Sequence, residues 1–199
     1  MKSLTLPAVA IALLAGLLGG CSSSGQSSPG TPAAASEKHE AQRKAREEAA
    51  LVLSRLYAQQ PDARHAVEHA AGYAVFRSVG LKVLIAGGGS GHGVAIDNRS
   101  GQETFMRMVE VQAGLGFGAK QFDLVWIFRT PEAYNDFITQ GIQIGGQATL
   151  AAKVDGAGAG VAGAAQVSDA VWVYQMTGTG LAAELTVKGT RYYPDKKLN

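Results

Sequence analysis

Glycine stands on every second position in two stretches of this chain, Gly114-x-Gly116-x-Gly118 and Gly156-x-Gly158-x-Gly160. The chain holds 26 glycines in 199 residues, about 13% where about 7% is ordinary. Most fall inside segments of period two and not in loops. Glycine weakens a strand, so within one it marks a bend or a close backbone approach. Several such strands predict an α+β fold: a curved, glycine-rich, mainly antiparallel sheet or half-barrel with two or three packed helices.

The spacing Gly158-x-Gly160-x-x-Gly163 also matches a dinucleotide-binding turn. That turn needs a buried strand before it, a helix after it and an acid about 20 residues on. Here "ATLAAKV" carries Lys153 before the glycines, the following residues alternate, and the next strand ends "VYQMTG" without an acid. The stretch reads as a bare-faced strand whose open backbone is covered by a helix or neighbouring strand or, as the alternative, by an acyl chain.

The remaining segments follow from period and punctuation. "EKHEAQRKAREEAALVLSRLYAQQ" predicts a helix from Glu37 capped by Ser36, with Ala45, Ala49, Val52, Leu53, Leu56 and Tyr57 on one stripe and Pro61 as the stop. A shorter helix over 63–71 follows, with Asp62 as its cap. "YAVFRSV" predicts a strand, and "KVLIAGGGSGHGVAID" two strands joined through glycines. In "TFMRMVEVQAGLGFG" the residues Phe105, Val109, Val111, Ala113, Leu115 and Phe117 share a face. "FDLVWIF" predicts a strand buried on both faces. Thr130-Pro131 opens a helix with Tyr134, Phe137 and Ile138 as its stripe and Gly141 as its end. Three further strands are expected around 143–153, 158–176 (broken midway) and 181–190. Trp126 and Trp172 read as core.

The first residues suggest export. MKS precedes an apolar run from Leu4 to Gly20, short for a spanning helix and flanked like a secretory signal. It ends Leu18-Gly19-Gly20-Cys21, which looks like a bacterial lipobox. Residues 1–20 are thus expected to be a lipoprotein signal peptide, with Cys21 diacylated (palmitate-type chains). The stretch 21–36 would be the acylated cysteine and a Ser/Gly/Pro/Ala tether spanning roughly 20 Å, and 37–199 the domain. Ser22 after the cysteine, without Asp, resembles lipoproteins sent to the outer membrane, facing the periplasm. Cys21 is the one cysteine, which excludes disulfides and thiolate metal sites from the domain. A formal net charge of +2 argues against nucleic acid as a partner.

His65-Ala66-Val67-Glu68-His69 matches HxxEH, an inverted zinc-protease pattern. A third ligand, normally a Glu on a later helix, has no candidate, so the segment reads as exposed histidines beside a solvated glutamate. No Ser/His/Asp, P-loop or paired-carboxylate pattern is present. The expectation is no enzyme, no metal and no cofactor.

"GYAVFRSVG" (72–80), "AGGGSGHGV" (86–94), "QAGLGFGAKQFDLVWIF" (112–128), "GGQATLAAKVDGAGAG" (145–160) and "GTGLAAELTVKGTRYYPDKKLN" (178–199) stand in an order that resembles the SYLF domain. The resemblance covers about residues 60–199. It implies a non-enzymatic, lipid-binding α+β domain. The chain departs from it at Arg77, where many members have Pro, and at Leu81-Lys82-Val83, where eukaryotic members often have a lysine and two glycines. Headgroup preference and actin activity are therefore not carried over.

The expected function is a membrane-anchored periplasmic lipoprotein whose domain binds membrane phospholipid. The alternative is a scaffolding lipoprotein that binds a protein partner in the cell envelope. Basic residues concentrate in Arg77–Lys120 and Lys188–Asn199, and acids in the span between. Lys82, Lys120, Lys188 and Arg191 are the candidate headgroup contacts.

Overall fold

The computed structural model describes residues 32–144, 163–177, 180–181 and 189–199, with the side chains of 82–86, 112–117, 120 and 180–181 left aside. The expected signal peptide, Cys21, most of the tether, Lys188 and the Gly156–Gly160 strip lie outside the described residues.

Helix α1 runs Pro32–Gln59 and α2 Asp62–Glu68. Helix α1 starts five residues before the expected Glu37. Proline is tolerated in a first helical turn, and Ala33–Ala35 are strong helix formers, so no cap at Ser36 is needed. Its stripe buries Ala45, Ala49, Val52 and Leu56, with Leu53 and Tyr57 packed at the margin. Asp62 lies inside the first turn of α2 and makes no side-chain cap, since Pro61 already holds helical angles.

The central element is one long hairpin. Strand β1 is Gly72–Asp97 and β2 is Glu103–Phe128, each 26 residues, paired antiparallel from Gly72↔Phe128 to Ile96↔Glu103. The two strands expected within 82–97 are one strand. So are the two expected within 104–128. The glycines bend the ribbon without ending it. A register shift lies between Leu84 and Ala86. Before it Val75 pairs with Val125 and after it Val94 with Phe105, and all four enter the same core.

The ribbon curls until its tip meets its base. Asn98, in the hairpin turn, donates its backbone N–H to Ala71 and its side-chain amide to the carbonyls of Val67 and Ala70. The second half of β1 lies back along its first half, with Gly93 against Val75, Gly91 against Arg77 and Gly89 against Val79. A Cβ at Gly93 would collide with the Val75 carbonyl and lie 2.7 Å from Phe76 Cδ1. One at Gly91 would lie 2.6 Å from the Arg77 carbonyl. The alternate glycines permit this backbone approach.

Helix α3 (Pro131–Gln140) starts as expected: Thr130 Oγ1 accepts from the Ala133 N–H, and Gly141 closes it at φ 74°. The short strands are β3 (Ile142–Ile144), β4 (Ala165–Ser168), β5 (Val171–Thr177), β6 (Gly180–Leu181) and β7 (Gly189–Pro194). The turn at Asp169–Ala170 is the expected break in the 158–176 segment. Pairing throughout is antiparallel, in the order β3-β7-β2-β5-β4 with β1 on β2 and β6 on β5. The α+β half-barrel is the observed fold.

Two cores result. Helices α1 and α2 cover Val75, Val94, Phe105, Val125, Ile127, Trp172 and Tyr174. Helix α3 covers an aromatic cluster of Phe76, Trp126, Phe128, Tyr134, Phe137 and Tyr192. Phe128 and Phe137 lie 4.7 Å apart between centroids, and Tyr192 meets both Phe76 and Trp126 edge-on at 5.0 Å. Both tryptophans are core residues. Residues 122–128 are buried on both faces as expected. The expected inward face of 105–117 holds only at Phe105 among its described side chains: Val109 and Val111 are exposed, and Met106 and Met108 are the buried neighbours.

Candidate functional site

Where the long ribbon bends, it carries apolar side chains outside the core. Val79 is 52% exposed, Leu81 60%, Val109 41% and Val111 68%. Val79 and Leu81 are alternate residues of β1, and Val109 and Val111 of β2, so each pair stands on one side of its strand. Helix α1 adds Leu51, the remaining large apolar side chain exposed among the described residues. Burial of such surface is worth about 25 cal/mol per Å², and nothing in the described fold provides it.

The sequence-predicted basic residues divide. Lys82 pairs in register with Gly118, and Gly80 with Lys120. The two positions are therefore diagonal neighbours on adjacent strands, about 7–8 Å apart, and they alternate with Val79 and Leu81, on the other side of the ribbon. Arg191 is exposed on β7, between Val109 of β2 and Gln143 of β3. It borders the exposed valines of β2 and not Lys82 or Lys120. Lys188 lies outside the described residues.

Other bases of the Arg77–Lys120 span are already paired: Arg99 with Asp97 at 3.6 Å and Arg107 with Asp195 at 3.9 Å. Asp123, from the acid-rich span, is not held away from the basic residues. It is the cross-strand partner of Arg77, whose Nε donates to Oδ1 at 3.0 Å. Arg55 of α1 donates Nη1 to Oδ2 at 2.6 Å and Nη2 to the Thr177 carbonyl at 3.2 Å. Two guanidinium groups thus share one carboxylate that is 3% exposed. Arg55 and Leu51 were not legible as surface features, because the helical stripe draws attention only to the buried face. They sit one turn apart on α1.

The HxxEH residues are all on α2. The rings of His65 and His69 stack 3.8 Å apart, His69 Nδ1 contacts the His65 carbonyl, and Glu68 pairs with Arg64 at 3.6 Å. Among the described residues no group of three His, Cys, Asp or Glu side chains could hold a metal ion. His92, on β1, meets Glu48 of α1 at 2.5 Å and ties that helix to the sheet. Burial pushes the Tyr134 phenol up to about 12, with nearby Asp97 adding and a hydrogen bond to Thr104 opposing. Burial raises Tyr174 and Tyr192 further still.

Residues 109–199 match the family model described as Ysc84, "Las17-binding protein actin regulator". The chain is also similar to Beta cell expansion factor A of Aeromonas veronii, 29% identical over 146 residues. That alignment covers 73% of this chain and 54% of the relative, so the chain spans about half the length of the curated relative it matches. The matched family segment begins on β2, at Val109. The quoted motifs at 72–80 and 86–94 lie before it, on the strand that pairs with β2 over its whole length.

Proposed function

We propose, from the match of residues 109–199 to the Ysc84 (SYLF) family model, that the protein is a lipid-anchored envelope protein whose domain binds phospholipid membrane surfaces through the bend of the β1–β2 ribbon. The observation that carries the reading is the set of exposed apolar side chains there, Val79, Leu81, Val109 and Val111, with the exposed Arg191 as register partner of Val109. Apolar side chains can enter the acyl boundary while bases meet anionic headgroups, each base worth about 1 kcal/mol near such a surface. No described helix is long and apolar enough to cross a membrane. In this proposal attachment comes from acyl chains on Cys21, and the site is the periplasmic leaflet of the outer membrane. The domain acts by binding and not by catalysis.

Vesicle co-sedimentation of residues 32–199 tests the surface, and mass spectrometry of the processed first residue tests the anchor. If the domain ignores vesicles but retains a protein of the envelope, the scaffolding alternative replaces this one.

A further inference from the structure

We propose that Arg55 and Arg77 form a phosphate-binding site at the edge of the apolar surface, with Asp123 holding both guanidinium groups in place. The proposal deepens the membrane reading by naming a recognised group, and it rests on that reading only for the lipid source of the phosphate.

Charge at this contact is unbalanced. One buried carboxylate needs one cation, and Asp123 has two, on opposite oxygens. The described network carries an excess positive charge. Donors are in surplus as well. Arg77 uses Nε on Asp123, and its two terminal nitrogens make no hydrogen bond among the described residues. A guanidinium with its terminal fork unspent, partly desolvated and fixed by a neighbour, matches the geometry of phosphate oxygens. Arg77 is partly open to solvent and Arg55 more so, so an anion can reach both.

The surroundings suit a phosphate attached to an apolar body. Arg77, Val79 and Leu81 alternate along one side of β1, passing from the charge network to 52% and 60% exposed apolar side chains. Leu51, 59% exposed, precedes Arg55 by one helical turn. Each arginine thus has exposed apolar neighbours on its own element. A phospholipid headgroup presents this chemistry, and free phosphate presents its polar half.

The test uses the full chain carrying Cys21→Ser, so that no acyl chain contributes. Its partition is measured between phosphatidylglycerol-containing and pure phosphatidylcholine vesicles, with and without millimolar inorganic phosphate. Thermal unfolding is followed in phosphate and in chloride at equal ionic strength. Arg77→Gln and Arg55→Gln are compared with the parent; each leaves one arginine on Asp123, and unfolding in chloride checks that each variant folds. The expected result is a parent preference for phosphatidylglycerol that falls about ten-fold in either variant. Competition by inorganic phosphate would show that the site takes phosphate from either source. Preference without competition would assign it to the headgroup. Phosphate stabilisation of the parent alone, with no vesicle binding, would keep the site and overturn the membrane reading. Equal preference in parent and both folded variants, or no response of the parent to either probe, would overturn the site.

Discussion

Arg77 and Asp123 are register partners across β1 and β2, joined at 3.0 Å, and the same carboxylate receives Arg55 from α1 at 2.6 Å. The carboxylate therefore fastens the first helix to the centre of the sheet. Asp123→Asn would leave two arginines facing each other without a counter-charge. Loss of one partner from a buried pair costs about 3–5 kcal/mol; both arginines reach solvent here, so the expected loss is about 2–3 kcal/mol. Arg77→Gln keeps the Arg55 contact and is expected to cost about 1 kcal/mol or less. Urea unfolding of the two variants measures the difference, and equal losses would contradict the shared-carboxylate arrangement.

Gly93→Ala tests the close approach of the two halves of β1. The added Cβ meets the Val75 carbonyl and the Phe76 ring, neither of which can move without opening the ribbon. The expected loss is about 3 kcal/mol, the upper part of the overpacking range. Gly88→Ala is the comparison, because its nearest neighbour would be the Glu110 carbonyl at 3.4 Å, and it is expected to change stability by less than about 1 kcal/mol. Thermal unfolding of both variants decides.

The curvature was legible in the sequence and its construction was not. Alternating glycines inside strands announced a bent sheet, and Thr130, Pro131 and Gly141 announced α3. The glycines in 86–93 also look like a break between two strands, because period and composition cannot tell a strand that ends from one that bends. The exposure of Val109 and Val111 was hidden for a different reason. They stand on the same side of β2 as buried Phe105, in unbroken register with it, and period shows which side a residue takes but not how far along the strand that side stays covered. The Arg55–Asp123–Arg77 contact spans 68 and 46 residues along the chain, and no local pattern encodes it.

Alkaline pH should weaken the fold through the buried tyrosines. Burial holds Tyr134 up at about 12 and raises Tyr174 and Tyr192 as well, while the unfolded chain loses these protons near 10. Stability from this source is complete below about pH 10. It falls as pH rises through 10 toward 12, by up to about 1.4 kcal/mol per pH unit for each tyrosine. Urea midpoints across that window check it. Tyr134→Phe should flatten the decline, and an unchanged slope would show that Tyr134 does not contribute.

Co-sedimentation of residues 32–199 with phosphatidylglycerol-containing vesicles tests the central claim most directly, because neither Cys21 nor the apolar stretch 4–20 is then present. The comparison is a variant with Val79, Leu81, Val109 and Val111 all changed to Ser. These side chains are exposed, so each change should alter stability by less than about 0.5 kcal/mol. The account predicts that the parent sediments with vesicles and that the folded variant stays in the supernatant. Equal sedimentation of both, or of neither, would contradict a membrane-binding role for the bend of the β1–β2 ribbon.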